Sequence, residues 1–140
     1  MTLQIWTARV SYSGEDRLDI TAKSASPGVG HALAPTVALL KLYHPAWGGK
    51  PDWEAYSEQY LYSLGARERS WVQAPIGHVS FRLLIAELLT RESVTLCCYC
   101  PKPEECHRTL AAKWLAERGG IYMGERPRST KRGTLPGIAS

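Results

Sequence analysis

Apolar and polar residues alternate from the start of the chain. In LQIWTARV, residues 3–10, Leu3, Ile5, Thr7 and Arg9 fall on one face and Gln4, Trp6, Ala8 and Val10 on the other, which predicts a first strand. LDIT, residues 18–21, predicts a second, smaller strand, and the Ser/Gly/Pro-rich stretch that follows to His31 reads as loop. LAPTVALLKLY, residues 33–43, is largely apolar; periodicity leaves it open between a short helix with Pro35 in its first turn and a buried extended segment. Beyond a turn-rich connection the period becomes helical, with Asp52 as a cap, Glu54 in the first turn, and Trp53, Tyr56, Tyr60 and Leu64 on one side. The aromatic residues of this middle segment read as the packing of a helical layer rather than as a stacking platform.

Residues 74–93 carry a one-sided stripe, Ile76, Val79, Leu83, Leu84 and Leu88, which predicts an amphipathic helix. VTLCCY is uncharged and β-prone, the pattern of a strand covered on both faces. Pro103, Glu104 and Glu105 open a further predicted helix with Leu110, Ala111, Trp114 and Leu115 on its inner side and Gly119 as its stop. IYMGE, residues 121–125, makes a last strand. Helix, strand, helix, strand in the back half predicts an α/β fold with a partly parallel sheet. At 140 residues and 44% hydrophobic, the chain has enough apolar material for one core, so residues 1–125 are expected to be a single domain.

The formal net charge of +4 changes this picture little once it is located. Arg126, Arg128, Lys131 and Arg132 account for all of the excess, in a Pro/Gly/Ser/Thr-rich stretch without acids. The body is balanced and is not expected to bind nucleic acid. The 126–140 tail is expected to be mobile, with weak contact to phosphate or an acidic partner as its alternative. No apolar run is long enough for a signal peptide or a membrane span, so a cytoplasmic protein without membrane partners is expected; its oligomeric state is left open. In a reducing compartment its four cysteines are expected to be thiols, ligands or core residues rather than disulfides.

The chemistry concentrates in CYCPKPEECHR, residues 98–108. Cys98 and Cys100, two apart at a strand end, face one way, and Cys97 and Tyr99 the other, which makes Cys97 a core residue. Cys106, His107 and Arg108 stand at a helix start, where thiolate and anions are both favoured. Four readings stay open at this point. The first is an anion pocket in which Arg108 and backbone N–H groups hold phosphate or carboxylate. The second is a reactive thiol, Cys100 or Cys106, activated by His107. In the third, a lesser one, zinc is held by Cys98, Cys100, Cys106 and His107. The last is plain packing, with Arg108 paired to Glu104 or Glu105.

The Cys98 and Cys106-His107-Arg108 pattern resembles the C-terminal signature of the domain-of-unknown-function family 488, and Cys100 is the additional cysteine of a phage and bacterial subgroup. TARVSYSGEDRLDITAKS, residues 7–24, is similar to the subgroup's N-terminal signature at Arg9, Tyr12, Gly14, Asp16, Arg17, Leu18, Asp19, Lys23 and Ser24. The resemblance implies a small Rossmann-like domain of two or three layers in which the two signatures meet. Arg9, Arg17 and Lys23 then supply cations, Asp16 and Asp19 carboxylates, and Tyr12 and Ser24 hydroxyls, a mixture suited to a nucleotide-like anion, with an exposed hairpin held by Arg–Asp pairs as the alternative. Tyr99, Cys100 and Arg108 complete the expected ligand site. If chemistry occurs there, hydrolysis or transfer at a nucleotide is expected, with Cys106 as nucleophile, His107 or Asp16 as acid/base, and Arg108 with Arg17 on phosphate. No cofactor is expected. The alternatives are a non-catalytic sponge for a nucleotide signal and a protein-interaction module acting on host machinery.

Overall fold

The computed structural model describes residues 2–69, 80–100 and 102–127. Its four strands are β1 (Gln4–Arg9), β2 (Arg17–Asp19), β3 (Ser93–Cys98) and β4 (Ile121–Glu125). They form one sheet in the order β2-β3-β1-β4, parallel at every pairing, so all four carboxyl ends share one rim. The helices are α1 (Val29–Leu33), α2 (Val37–Tyr43), α3 (Trp53–Arg69), α4 (Phe81–Leu89) and α5 (His107–Ala116), with single 3₁₀ turns at Pro45–Trp47 and Pro103–Glu105. The fold is α/β.

Register explains which face the helices cover. Ile5 lies opposite Val94 and Leu18 opposite Leu96, and these residues with Leu3 and Ile20 form the sheet's contribution to the core. Onto them pack Ala111, Trp114 and Leu115 of α5, Ile85 and Leu88 of α4, and Tyr60 and Leu64 of α3. Each fully buried aliphatic side chain here contributes about 1.5–3 kcal/mol relative to exposure.

Helix boundaries follow their caps. Thr36 accepts from the Leu39 amide and starts α2, which resolves the 33–43 segment as a helix beginning two residues after Pro35. Asp52 caps α3 through the Ala55 amide, as its sequence predicts, and the helix runs on to Arg69. Ser80 caps α4 through the Leu83 amide. The inner face of α4 is therefore Phe81, Ile85 and Leu88, and Leu83, placed inside by the sequence stripe, is exposed; Ile76 and Val79 lie outside the described residues. The last helix starts at His107, not Pro103. Residues 103–105 form the 3₁₀ turn, and Cys106 is extended (φ −141°, ψ 144°) as the N-cap.

The opposite face of β3 carries Thr95 and Cys97, both fully buried. Polar side chains gather over Thr95. Asp16 accepts hydrogen bonds from Tyr12 (2.6 Å), Ser93 (2.8 Å) and Thr95 (2.9 Å), and its Oδ2 lies 3.3 Å from Arg126 Nη2. Arg126 also donates to Thr95 Oγ1 and lies over the rings of Trp6 and Tyr12. Its backbone amide bonds to Thr7 O, so this first residue of the basic stretch is tied to the sheet. Burial would raise the Asp16 pKa, but the hydroxyl donors and the Arg126 charge hold it below the ordinary value. Residues 128–140 lie outside the described residues.

Candidate functional site

In open parallel sheets, ligands sit beyond the carboxyl ends of the strands. Here β3 ends at Cys98, whose sulfur is the meeting point of the 98–108 segment. The Cys100 backbone amide points at it from 3.4 Å and Arg108 Nη1 from 3.6 Å, and Cys106 Sγ lies 2.6 Å away. The extended Cys106 spends no side-chain bond on capping α5, which leaves its thiol for this contact. The sulfurs of Cys98, Cys100 and Cys106 all lie within 4.8 Å of one another, a donor set that could hold a metal ion.

These surroundings divide the cysteines chemically. Hydrogen bonding from Cys100, then from Cys106, and the neighbouring His107 hold the Cys98 thiol far below its ordinary pKa despite burial. Burial and hydrogen bonding to Cys100 and Cys98 push Cys106 well above it. At Cys100 the Cys106 thiol acts downward, but hydrogen bonding to Cys98 and burial outweigh it and push the thiol up to about 11. Cys98 is thus the thiol of the three whose ionised form its neighbours favour. Cys97 faces away, fully buried near the Thr95 carbonyl, and burial pushes its thiol up to about 11; it is the core residue that strand alternation predicts.

Arg108 is fully buried and points away from Glu104 and Glu105. It donates Nε–H and Nη2–H to the two carboxylate oxygens of Glu125 (3.1 and 2.9 Å) and Nη1–H to Cys100 O (2.7 Å). The reason is the late helix start: Glu104 and Glu105 stay on the 3₁₀ turn, and the guanidinium reaches the end of β4 instead. Burial works against its charge, but Glu125 and the thiols outweigh that and raise its pKa. Arg108 thus braces the cluster and is committed to Glu125.

His107 is pinned from the other side. Its Nε2 lies 2.8 Å from the Ile20 carbonyl, which can only accept, so Nε2 carries the proton. The remaining nitrogen, Nδ1, has Cys106 Sγ as its neighbour at 3.9 Å. An edge contact with the Tyr60 ring, itself anchored by its hydroxyl to Leu33 O, fixes the imidazole plane.

Over the cluster opens a cavity of about 470 Å³. Cys98, Cys100, Cys106 and His107 line one end, and Tyr43, Trp47, Trp53, Tyr56 and Tyr99 form much of the wall. Trp53, Tyr56 and Tyr60 stack in sequence along α3 (centroids 5.6 and 6.2 Å). Trp47 is presented by a tight return of the chain in which Gly48 is left-handed (φ 83°) and a Cβ on Gly49 would sit 2.6 Å from the Tyr43 and His44 amide nitrogens. Thr21, Ala22 and Lys23 enter from the loop after β2. That loop is organised by Asp19, which accepts from the Thr21 amide (2.9 Å) and the Ser24 hydroxyl (2.7 Å).

The two sequence signatures therefore meet only in part. Ile20 touches His107, Ser24 lies 3.2 Å from the Tyr99 hydroxyl, and Lys23 lines the cavity. Asp16 and Tyr12 belong to the polar layer on the other face of β3. Arg17 donates to the carbonyls of Tyr12 and Val10 and lies 3.8 Å from Asp19. Arg9, opposite Cys98 in register, lines no part of the cavity. Of the cations singled out by sequence, only Lys23 faces the cavity. Sequence reasoning missed Tyr43, Trp47 and Trp53 as site residues and named Cys98 only as a metal ligand. The available signal was position: Tyr43 and Trp47 flank a Pro/Gly-rich turn rather than a helix interior.

The model of a protein family described as the active DUF488-N3 subclade matches residues 2–119. No curated protein and no solved structure matches the chain.

Proposed function

We propose, for a chain that belongs to DUF488, the domain-of-unknown-function family 488, that it binds a nucleotide-like small molecule in the aromatic cavity and acts on it by hydrolysis or group transfer through the Cys98 thiolate. The observation that carries this reading is the placement of the Cys98 sulfur, contacted by the Cys100 amide and Arg108, in the lining of a cavity walled by aromatic rings. A planar base can stack on such an aromatic wall, and Lys23 in the lining supplies a charge for its anionic group. His107 Nδ1, beside the Cys106 thiol, is placed to take and return a proton through that thiol. Arg108, committed to Glu125 and to Cys100 O, braces the cluster rather than binding phosphate. The test is incubation of the reduced protein with a panel of nucleosides and nucleotides, followed by tryptophan fluorescence and product analysis. Saturable quenching with turnover that Cys98→Ser abolishes supports the reading. Binding without turnover supports a sponge, and absence of both contradicts the site altogether.

A second reading has its own observation. The sulfurs of Cys98, Cys100 and Cys106, all within 4.8 Å of one another, form a three-thiol donor set for zinc; His107, whose Nε2–H bond to a backbone carbonyl leaves Nδ1 3.9 Å from Cys106 Sγ, lies outside that set and would have to move to supply a fourth ligand. Elemental analysis of protein purified without chelator decides it; less than about a tenth of an equivalent of metal sinks it.

A further inference from the structure

We propose that Cys98 and Cys106 are an oxidisable dithiol, which a hydroperoxide closes into a disulfide that silences the site. The inference deepens the reading above by naming a regulation of the same cavity, and it rests on that reading only in taking Cys98 as the sulfur that reacts first. Three observations carry it. The two sulfurs lie 2.6 Å apart, about half an ångström beyond a disulfide bond, so closing the bond requires little backbone movement. Their roles are already divided: Cys98 receives N–H groups from Cys100 and Arg108, while the hydrogen-bond partners of Cys106 Sγ among the described residues are Cys98 and the His107 ring. A sulfur that receives N–H groups, with a second sulfur near bonding distance, has the layout of an attacking and a resolving thiol. Finally, both sulfurs line the cavity, which gives a small peroxide a route to side chains that are otherwise buried.

The chemistry balances. The Cys98 thiolate attacks the terminal oxygen of the hydroperoxide and forms an S–O bond as the O–O bond breaks; Cys98 becomes a sulfenic acid that keeps the terminal hydroxyl proton, and the departing alkoxide or hydroxide takes a proton from solvent water. The Cys106 sulfur then attacks the Cys98 sulfur, its proton passing by way of His107 to the departing hydroxyl, which leaves as water. Two thiols lose two electrons and the peroxide gains them. Cys97 takes no part because its sulfur is on the other face of β3. Cys100, within 4.8 Å of both partners, is the competitor.

The test treats the reduced, chelator-washed full chain with one equivalent of hydrogen peroxide. Cleavage after Glu104 or Glu105 puts Cys98 and Cys106 on separate fragments. The expected result is an intact mass lower by two hydrogens, fragments joined through Cys98 and Cys106, an iodoacetamide reaction slowed by about a hundredfold, and recovery with dithiothreitol. The Cys100→Ala variant should form the same link, and Cys106→Ala should instead trap a sulfenic acid at Cys98. Oxygen added at Cys98 while Cys106 stays a free thiol in the unsubstituted chain, or a link that maps to Cys100, overturns the proposal without requiring any variant to fold. Nucleotide turnover is measured on the reduced protein, so the two ideas fail separately. A disulfide with no turnover removes the proposed function alone, and turnover that needs Cys98 with no disulfide removes this inference alone.

Discussion

Two polar clusters flank β3, and they use similar means to opposite ends. On the outer face, Asp16 takes three hydroxyl donors and Arg126, and Arg126 in turn bonds to Thr95 and stacks on Trp6 and Tyr12. Every strong group there is matched to another strong group, and none of them lines the aromatic cavity. At the carboxyl rim, Arg108 is matched as fully to Glu125, but the Cys98 sulfur has only long contacts from the Cys100 amide and Arg108 beside Cys106, and Cys106 Sγ faces Cys98 and His107 Nδ1. Sulfur is a weak hydrogen-bond partner, so this cluster keeps reactive capacity that the other has spent. Ionisable groups in an α/β rim become a site where their strong partners run out and a cavity begins.

That contrast can be broken by substitution. The largest effect is expected from Arg108→Gln, which removes a buried cation and leaves Glu125 partnerless. Urea denaturation should show a loss of about 3 kcal/mol, and any folded variant should have a less ionised Cys98. Cys98→Ser should lower iodoacetamide labelling of the reduced protein at neutral pH by on the order of a hundredfold, while Asp16→Asn leaves it within about twofold. Equal losses in the two variants would mean that the clusters are coupled and the contrast is false. Asp16→Ala strands Tyr12, Ser93, Thr95 and Arg126 together and should cost about 2 kcal/mol by the same denaturation assay, without changing labelling. Trp53→Ala should weaken nucleotide binding by about tenfold in a fluorescence titration, with no change in the Cys98 reaction.

The smallest expected effect is on acid stability. The folded-state pKa of Asp16 is depressed, so its stabilisation is fully present above the unfolded value near about 3.9 and is lost as pH falls through the folded value. A curve of unfolding free energy against pH should therefore drop below about pH 4, and Asp16→Asn should flatten that limb. An unchanged limb would show that the outer cluster is held by its neutral hydrogen bonds alone.

The strands and the fold class were legible because their signals are local. Period-two alternation marks β1, the uncharged VTLCCY marks β3, and the α/β alternation orders them. The same alternation separated Cys97 from Cys98 correctly. What was not legible depends on three dimensions. The start of α5 moved from Pro103 to His107 because a 3₁₀ turn absorbed the Pro-Glu-Glu segment, and that shift sent Arg108 to Glu125 on a strand 17 positions later. Asp16 and Arg17 carry suggestive chemistry, but strand β2 begins at Arg17, and pairing with Thr95 fixed both residues as structural. Trp53 and Tyr56 have helical spacing, and spacing cannot distinguish a residue that packs under a cavity from one that lines it.

The central claim is that Cys98 is the ionised nucleophile of the cavity. The direct measurement is the rate of iodoacetamide labelling at Cys98 as a function of pH, with the modified residue mapped after cleavage between Glu104 and Glu105. A rate that stays nearly flat from about pH 6 to about pH 9, with Cys98 labelled ahead of Cys100 and Cys106, is the result the account predicts. A rate that climbs about tenfold per pH unit toward an ordinary thiol value near about 8.5, or first labelling at Cys100 or Cys106, would contradict it.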